Sequence, residues 1–73
     1  MYEIEYSDSA KKFIKKLPKD KQKRIIAVLE RSRIRPSAHF QRLVGEKTYK
    51  LRVGKYRIIA DIIKDKLLII VIE

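Results

Sequence analysis

The 73-residue sequence predicts an α+β fold: an N-terminal strand, a two-helix hairpin, then an antiparallel β-meander with the helices packed on the sheet. Three observations carry that expectation. Tyr2-Glu3-Ile4-Glu5-Tyr6 and the stretch from Tyr49 to Val53 alternate with the period of a strand. Between them, Ala10, Phe13, Ile14 and Leu17, and then Ile25, Ile26, Val28 and Leu29, recur at helical spacing and supply core-facing stripes. Leu67 to Ile72 is apolar without interruption, which predicts an interior strand covered on both faces or close to it.

The first strand turns Tyr2, Ile4 and Tyr6 to one face. Ser7-Asp8-Ser9 is helix N-cap chemistry, because their side-chain oxygens accept from free backbone N–H groups. The first helix runs through Leu17 until Pro18 stops it and permits a corner. A second helix begins near Lys19 or Asp20 with a polar first turn and runs to about Ser32, so that the pair covers one side of the sheet. Residues 33–39 read as a loop, with Pro36 breaking any helix. Phe40-Gln41-Arg42-Leu43 is extended or a short strand, closed by a turn at Val44-Gly45-Glu46.

The most informative stretch runs from Tyr49 to Ile59. Alternation places Lys50 and Arg52 on one face and Tyr49, Leu51 and Val53 on the other. Gly54 meets the need of a turn for positive φ, and the following strand continues to Ile63. Tyr49 and Tyr56 read as aromatics that pack the sheet or core. Lys64-Asp65-Lys66 is a polar turn before the last strand. The whole chain is one domain, with no repeat, linker or low-complexity segment.

At this length only about 60% of the unfolded chain's surface is buried on folding, so the core is small. The absence of cysteine rules out disulfides and thiolate metal sites, and fits a reducing cytoplasm. No metal or other cofactor is expected. No secretory signal is visible, and the longest apolar run is far below the roughly 20 residues needed to span a bilayer, so no membrane role is expected. The formal net charge is +10, and it is unevenly placed: residues 1–24 hold eight bases and four acids, residues 25–57 nine and two, and residues 58–73 two and three. Such an excess implies a polyanionic partner or an acidic protein that neutralises it. Lys11, Lys12, Lys15 and Lys16 cover the polar side of the first helix with no glutamate between them. Together with Lys19, Arg42, Lys47 and Lys55 they form the candidate polyanion-binding set, which the resemblance described next implies would bind RNA. His39, the single histidine, lies in a polar loop without a neighbouring carboxylate to orient it, and is expected to be solvated.

The order of elements, the lysine-rich hairpin, the Leu43-Val44-Gly45 segment and the Tyr49–Ile59 block together resemble the RelE/ParE superfamily of toxins from type II toxin–antitoxin systems, most closely RelE-like messenger-RNA interferases. The resemblance covers nearly all 73 residues. It implies a small antiparallel sheet with two N-terminal helices, and a ribosome-dependent endoribonuclease acting on messenger RNA in the A site. It also implies an acidic, RelB-like antitoxin that wraps the toxin, and a toxin–antitoxin complex that binds operator DNA through the antitoxin. By position, Arg57 falls where the family has the arginine that contacts the scissile phosphate, Lys50 matches a lysine on the preceding strand, and Arg52 matches a second basic position. The family typically continues past the last strand into a segment with a further arginine and a tyrosine. Glu73 follows the last strand directly, so the expectation is of a domain lacking that segment.

The chemistry is consistent with those assignments. Internal RNA cleavage can use the substrate's 2′-hydroxyl as nucleophile, which requires a base, cations for the phosphorane and an acid for the leaving 5′-oxygen. Lys50 beside Arg52 is the candidate base, since neighbouring cations favour a neutral amine. Arg57 suits the phosphate because its planar fork donates two parallel hydrogen bonds. Lys50, Arg52 and Arg57 are thus the candidate catalytic set. Whether Arg57 shares their face depends on strand register. The alternatives are a ParE-like inhibitor that binds DNA gyrase without catalysis, a shortened toxin that only binds its antitoxin, and a general nucleic-acid-binding domain.

Overall fold

The computed structural model describes residues 1–42 and 48–73. The predicted Leu43-Val44-Gly45 segment, the Val44-Gly45-Glu46 turn and Lys47 lie outside the described residues. The elements in order are β1 (Glu3–Tyr6), α1 (Asp8–Lys15), α2 (Lys19–Ser32), a single helical turn α3 (Pro36–His39), β2 (Gln41–Arg42), β3 (Thr48–Val53), β4 (Tyr56–Ile63) and β5 (Lys66–Ile72). The strands form one sheet in the order β1-β5-β4-β3-β2, parallel between β1 and β5 and antiparallel elsewhere.

The helices lie on one face of this sheet. Ala10 and Ile14 of α1 and Ile25 and Leu29 of α2 join Val53, Ile58, Ala60, Leu67, Ile69 and Ile72 in a single buried cluster. Tyr2, Ile4, Tyr6, Tyr49, Leu51, Tyr56 and Ile62 pack against it, so both predicted packing tyrosines take that role. Phe13 meets Tyr56 edge to face at 5.9 Å, tying α1 to the β3–β4 hairpin.

Ser7 joins three elements. It caps α1, its Oγ accepting from the Ala10 N–H at 3.1 Å. The same hydroxyl donates to the Ile70 carbonyl at 2.5 Å, and the Ser7 N–H donates to the Ile69 carbonyl. Ile70 is the residue that the β4–β5 register skips: Ile59 pairs with Val71, and Ala60 with Ile69. The skip is a β-bulge, which leaves one residue out of the ladder. Ser7 supplies the bond that the ladder does not.

Several expectations need correction. Helix α1 ends at Lys15, with Lys16 as its cap, so Leu17 lies beyond it and Pro18 stands before α2 instead of ending α1. Pro36 does not break a helix but starts one, at the first position of α3, where the missing N–H has no helical partner to lose. Ile26 is not core; it is exposed on the outer side of α2 while Ile25 and Leu29 carry the burial. Strand β1 starts at Glu3, because the Tyr2 backbone turns away to bond Arg33. The last turn is Lys64-Asp65 alone, and Lys66 belongs to β5. Finally, β5 is interior by position, between β1 and β4, but not by double coverage. Leu68, Ile70 and Val71 are only half-buried, and among the described residues no layer covers them.

Candidate functional site

The β3–β4 register decides where the cations stand. Val53 pairs with Tyr56 across a two-residue turn in which Gly54 has φ +60°, so Arg52 falls directly opposite Arg57 and Lys50 opposite Ile59. Val53, Tyr56 and Ile58 face the helices. Lys50, Arg52 and Arg57 therefore all stand on the other, outer face of the sheet. Arg52 and Arg57 are exposed and Lys50 is half-buried. Like charges directly opposite on a sheet repel, and a pair of forks with no layer above it among the described residues suits a ligand carrying several anionic oxygens.

The outer face is ordered in rows across the strands. The first row is Arg52, Arg57 and Glu73; the Arg57 and Glu73 backbones exchange both hydrogen bonds, N–H to carbonyl, at 2.6 and 2.9 Å. The Glu73 carboxylate stands 3.6 Å from the Arg57 Nε. The second row is Gln41, Lys50, Ile59 and Val71. The third is Thr48, Asp61, Leu68 and Glu5, with the Glu5 carboxylate paired to Lys66 at 3.3 Å. The first row thus carries two arginines and one carboxylate, the second a single lysine beside Gln41 and two aliphatic side chains, and the third mixed charge.

The remaining predicted cations lie elsewhere. Lys11, Lys12, Lys15, Lys16 and Lys19 are exposed on the helical layer, whose apolar side is turned to the sheet. Lys12 and Lys16 border an open groove with Ser9 and Phe13, and Lys11 and Lys15 border another with Tyr6, Ile26 and Glu30. Arg42 pairs across the sheet with Tyr49 and so belongs to the helical side. Lys55 sits at the hairpin tip, its Nζ 5.7 Å from the centre of the Tyr56 ring. The structure therefore gathers Lys50, Arg52 and Arg57, and keeps the α1 lysines on the opposite side of the sheet.

Two outer-face residues escaped the sequence reading. Gln41 stands across from Lys50 in the β2–β3 pair, and Glu73 stands beside Arg57. Glu73 had a readable signal only if the bulge was known. Without the skip at Ile70, counting by twos from Leu67 and Ile69 would send Glu73 to the helical face. His39 is exposed in α3, as expected for a solvated histidine. Tyr6 has its phenol raised above the ordinary value, chiefly by burial and secondarily by the charge of Glu30, against an opposing effect of Arg33. It lies on the helical side and does not reach the arginine row. Among the described residues no group of three or more His, Asp or Glu side chains could hold a metal ion, and no helix is long and apolar enough to cross a membrane.

Comparison with known proteins bears on this geometry. The sequence model for the ParE toxin of the type II toxin–antitoxin system parDE matches residues 4–73. No curated protein matches the chain in sequence. Among solved structures, the chain is similar to the RelBE2 toxin–antitoxin complex of Mycobacterium tuberculosis at 21% identity, covering 99% of this chain and 95% of that one with a TM-score of 0.82. It is similar to the intact RelBE toxin–antitoxin complex of E. coli at 22% identity, 99% and 94% coverage and a TM-score of 0.81. The isolated E. coli RelE toxin follows at 20% identity, 99% and 82% coverage and a TM-score of 0.80. At such identities the structural likeness speaks for the fold, while the sequence match spans all but the first three residues. The chain, with its RelE-like fold, belongs to the ParE toxin family: it is a RelE/ParE-superfamily toxin of a type II toxin–antitoxin system.

Proposed function

We propose that this toxin acts in the cytoplasm as a ribosome-dependent endoribonuclease, holding an RNA phosphodiester on the outer face of its sheet and cleaving messenger RNA in the A site. The observation that supports it best is the register that sets Arg52 opposite Arg57 with Lys50 two residues along the same face. In this reading Lys50 removes the 2′-hydroxyl proton, and the resulting oxyanion attacks the adjacent phosphorus. The two guanidinium groups stabilise the added negative charge of the phosphorane. The P–O5′ bond then breaks, giving a 2′,3′-cyclic phosphate and a 5′-hydroxyl whose proton comes from water, which reaches this exposed face. The lysines of α1, with Lys19, Arg42 and Lys55, serve RNA contacts away from the scissile bond, and Lys47 belongs to the same RNA-binding set. The net charge of +10 and the RelB complexes among the structural neighbours favour an acidic, RelB-like antitoxin as partner, through which the pair binds operator DNA.

Arg57→Ala is the decisive variant. It is expected to abolish growth arrest and ribosomal messenger-RNA cleavage while leaving antitoxin binding intact. Undiminished toxicity from a folded variant sinks the reading. A second reading, gyrase inhibition without catalysis, is favoured by the family's ParE description and by the lack of a histidine or tyrosine in the rows beside the arginine pair. DNA supercoiling measured beside ribosomal cleavage separates the two, because each reading predicts activity in one assay only.

A further inference from the structure

A second cationic site lies behind the hairpin tip. Between α2 and the β3–β4 turn is a cavity of about 190 Å³, bounded by Lys21 and Arg24 of α2 and by Gly54, Lys55 and Tyr56 of the turn, over buried Ile25. Three cations converge on it, and among the described residues no carboxylate lines it. Lys21 and Arg24 are three residues apart on one helix, so they project from the same side of α2. Lys55 is held at the rim over the Tyr56 ring, where the ring's negative face attracts the ammonium. The space above the turn is open: a Cβ built on Gly54 would meet nothing within 4 Å. Three positive charges around a recess with no counter-charge among the described residues favour an anion of more than one negative oxygen, and Arg24 brings a fork that can engage two of them.

The cavity adjoins the outer-face site through the hairpin itself. Tyr56 and Val53 are the chain neighbours of Arg57 and Arg52 and point to the opposite side of the sheet. Lys55 is two residues from Arg57, about 7 Å at 3.3–3.4 Å per residue. We propose that the cavity is a second phosphate subsite, which takes a neighbouring phosphate of the same RNA strand whose scissile phosphate lies on Arg52 and Arg57, the strand passing over the Gly54-Lys55 turn. This rests on the RNA reading given above, and it assigns Lys21, Arg24 and Lys55 to substrate positioning.

The test uses the full chain and two probes, pyrophosphate and a short RNA carrying 2′-deoxy sugars so that it cannot be cleaved. Amide chemical shifts are followed in the wild type, in Arg24→Gln/Lys55→Gln and in Arg57→Gln, with thermal melts to confirm folding. Pyrophosphate is expected to shift the amides of Arg24, Gly54 and Lys55 in the wild type and in Arg57→Gln, but not in the double variant. For the RNA, the slope of log affinity against log salt is expected to fall by about 1.4 in the double variant, two contacts at about 0.7 each on single strands. An unchanged slope, or shifts confined to the α1 lysines, overturns the subsite. An acidic peptide that binds the cavity where the RNA does not also overturns it, in favour of a protein partner. Should Arg57→Gln leave messenger-RNA cleavage intact while the double variant still loses RNA affinity, the subsite stands and the outer-face assignment falls.

Discussion

Arg57 and Glu73 are joined twice, by a pair of backbone hydrogen bonds across the edge of the β4–β5 ladder and by a carboxylate 3.6 Å from the guanidinium Nε. Arg57 therefore already has an anionic neighbour. Any phosphate that takes both arms of the fork must compete with that carboxylate. Both side chains are more than half exposed, so the pair is weak and the competition mild.

Replacing Glu73 by Gln removes the competitor and keeps the shape. Affinity for a phosphate-bearing ligand is expected to rise by a factor of about 1.4 to 5 at low salt, from an exposed pair worth about 0.2–1 kcal/mol. The gain should shrink as ionic strength rises, because exposed charges are screened. Calorimetric titration with the non-cleavable RNA at two salt concentrations checks both statements.

Arg52 stands directly opposite Arg57, and the repulsion of such a pair destabilises the sheet. Arg52→Thr, which places a good strand former on an exposed position, is expected to raise stability by about 0.5 kcal/mol. The same change should reduce messenger-RNA cleavage in the proposed reaction. Urea midpoints beside an activity assay would reveal this opposition, and a variant that gains neither stability nor loses activity refutes it.

Ser7→Ala removes one hydroxyl with two jobs, capping α1 and satisfying the carbonyl of the bulge residue. The expected loss is about 2–3 kcal/mol: about 1 for the cap, and 1–2 for the carbonyl left without its donor. Chemical denaturation gives the value directly. Ser7→Asp separates the two roles, since it can cap the helix but cannot donate to Ile70.

Burial is the main reason the Tyr6 phenol lies above its ordinary value of 10.0. The folded state then holds the phenolic proton more tightly than the unfolded chain does. The resulting stability is fully present below the unfolded value and is lost as pH rises through it and then through the folded value. Denaturation midpoints should fall on the alkaline side of pH 10.0, and the fall should flatten in Tyr6→Phe. An identical alkaline limb in the variant assigns the loss to other groups.

Much of this was legible because the relevant residues alternate cleanly. Tyr49 to Val53 announced its two faces, and with them the shared face of Lys50 and Arg52. Arg57 was harder: its face depends on how many residues the turn takes, and only the pairing of Val53 with Tyr56 fixes that number at two. The uniform apolarity of Leu67 to Ile72 hid the bulge at Ile70, since a phase shift leaves no trace where every residue is hydrophobic. Pro36 misled for a different reason. The same missing N–H that forbids a helix interior is harmless at a helix start, and composition alone does not say which applies. Lys21 and Arg24 were hidden among many cations, and their three-residue spacing acquires meaning only beside the β3–β4 turn.

The place of β5 in the sheet has a consequence for the order in which the protein comes into being. Strand β5 is the latest strand in the sequence, yet it lies between β1 and β4 and contributes Leu67, Ile69 and Ile72 to the buried cluster. A nascent chain that has not yet exposed those residues holds β1 with no strand to pair with, and a core open along its middle. The contacts that join β1 to β5 link residues more than sixty positions apart, as in the bond from Ser7 to Ile70, and such distant closures come slowly. During synthesis, then, the arginine row has no finished sheet beneath it until β5 slides into its slot.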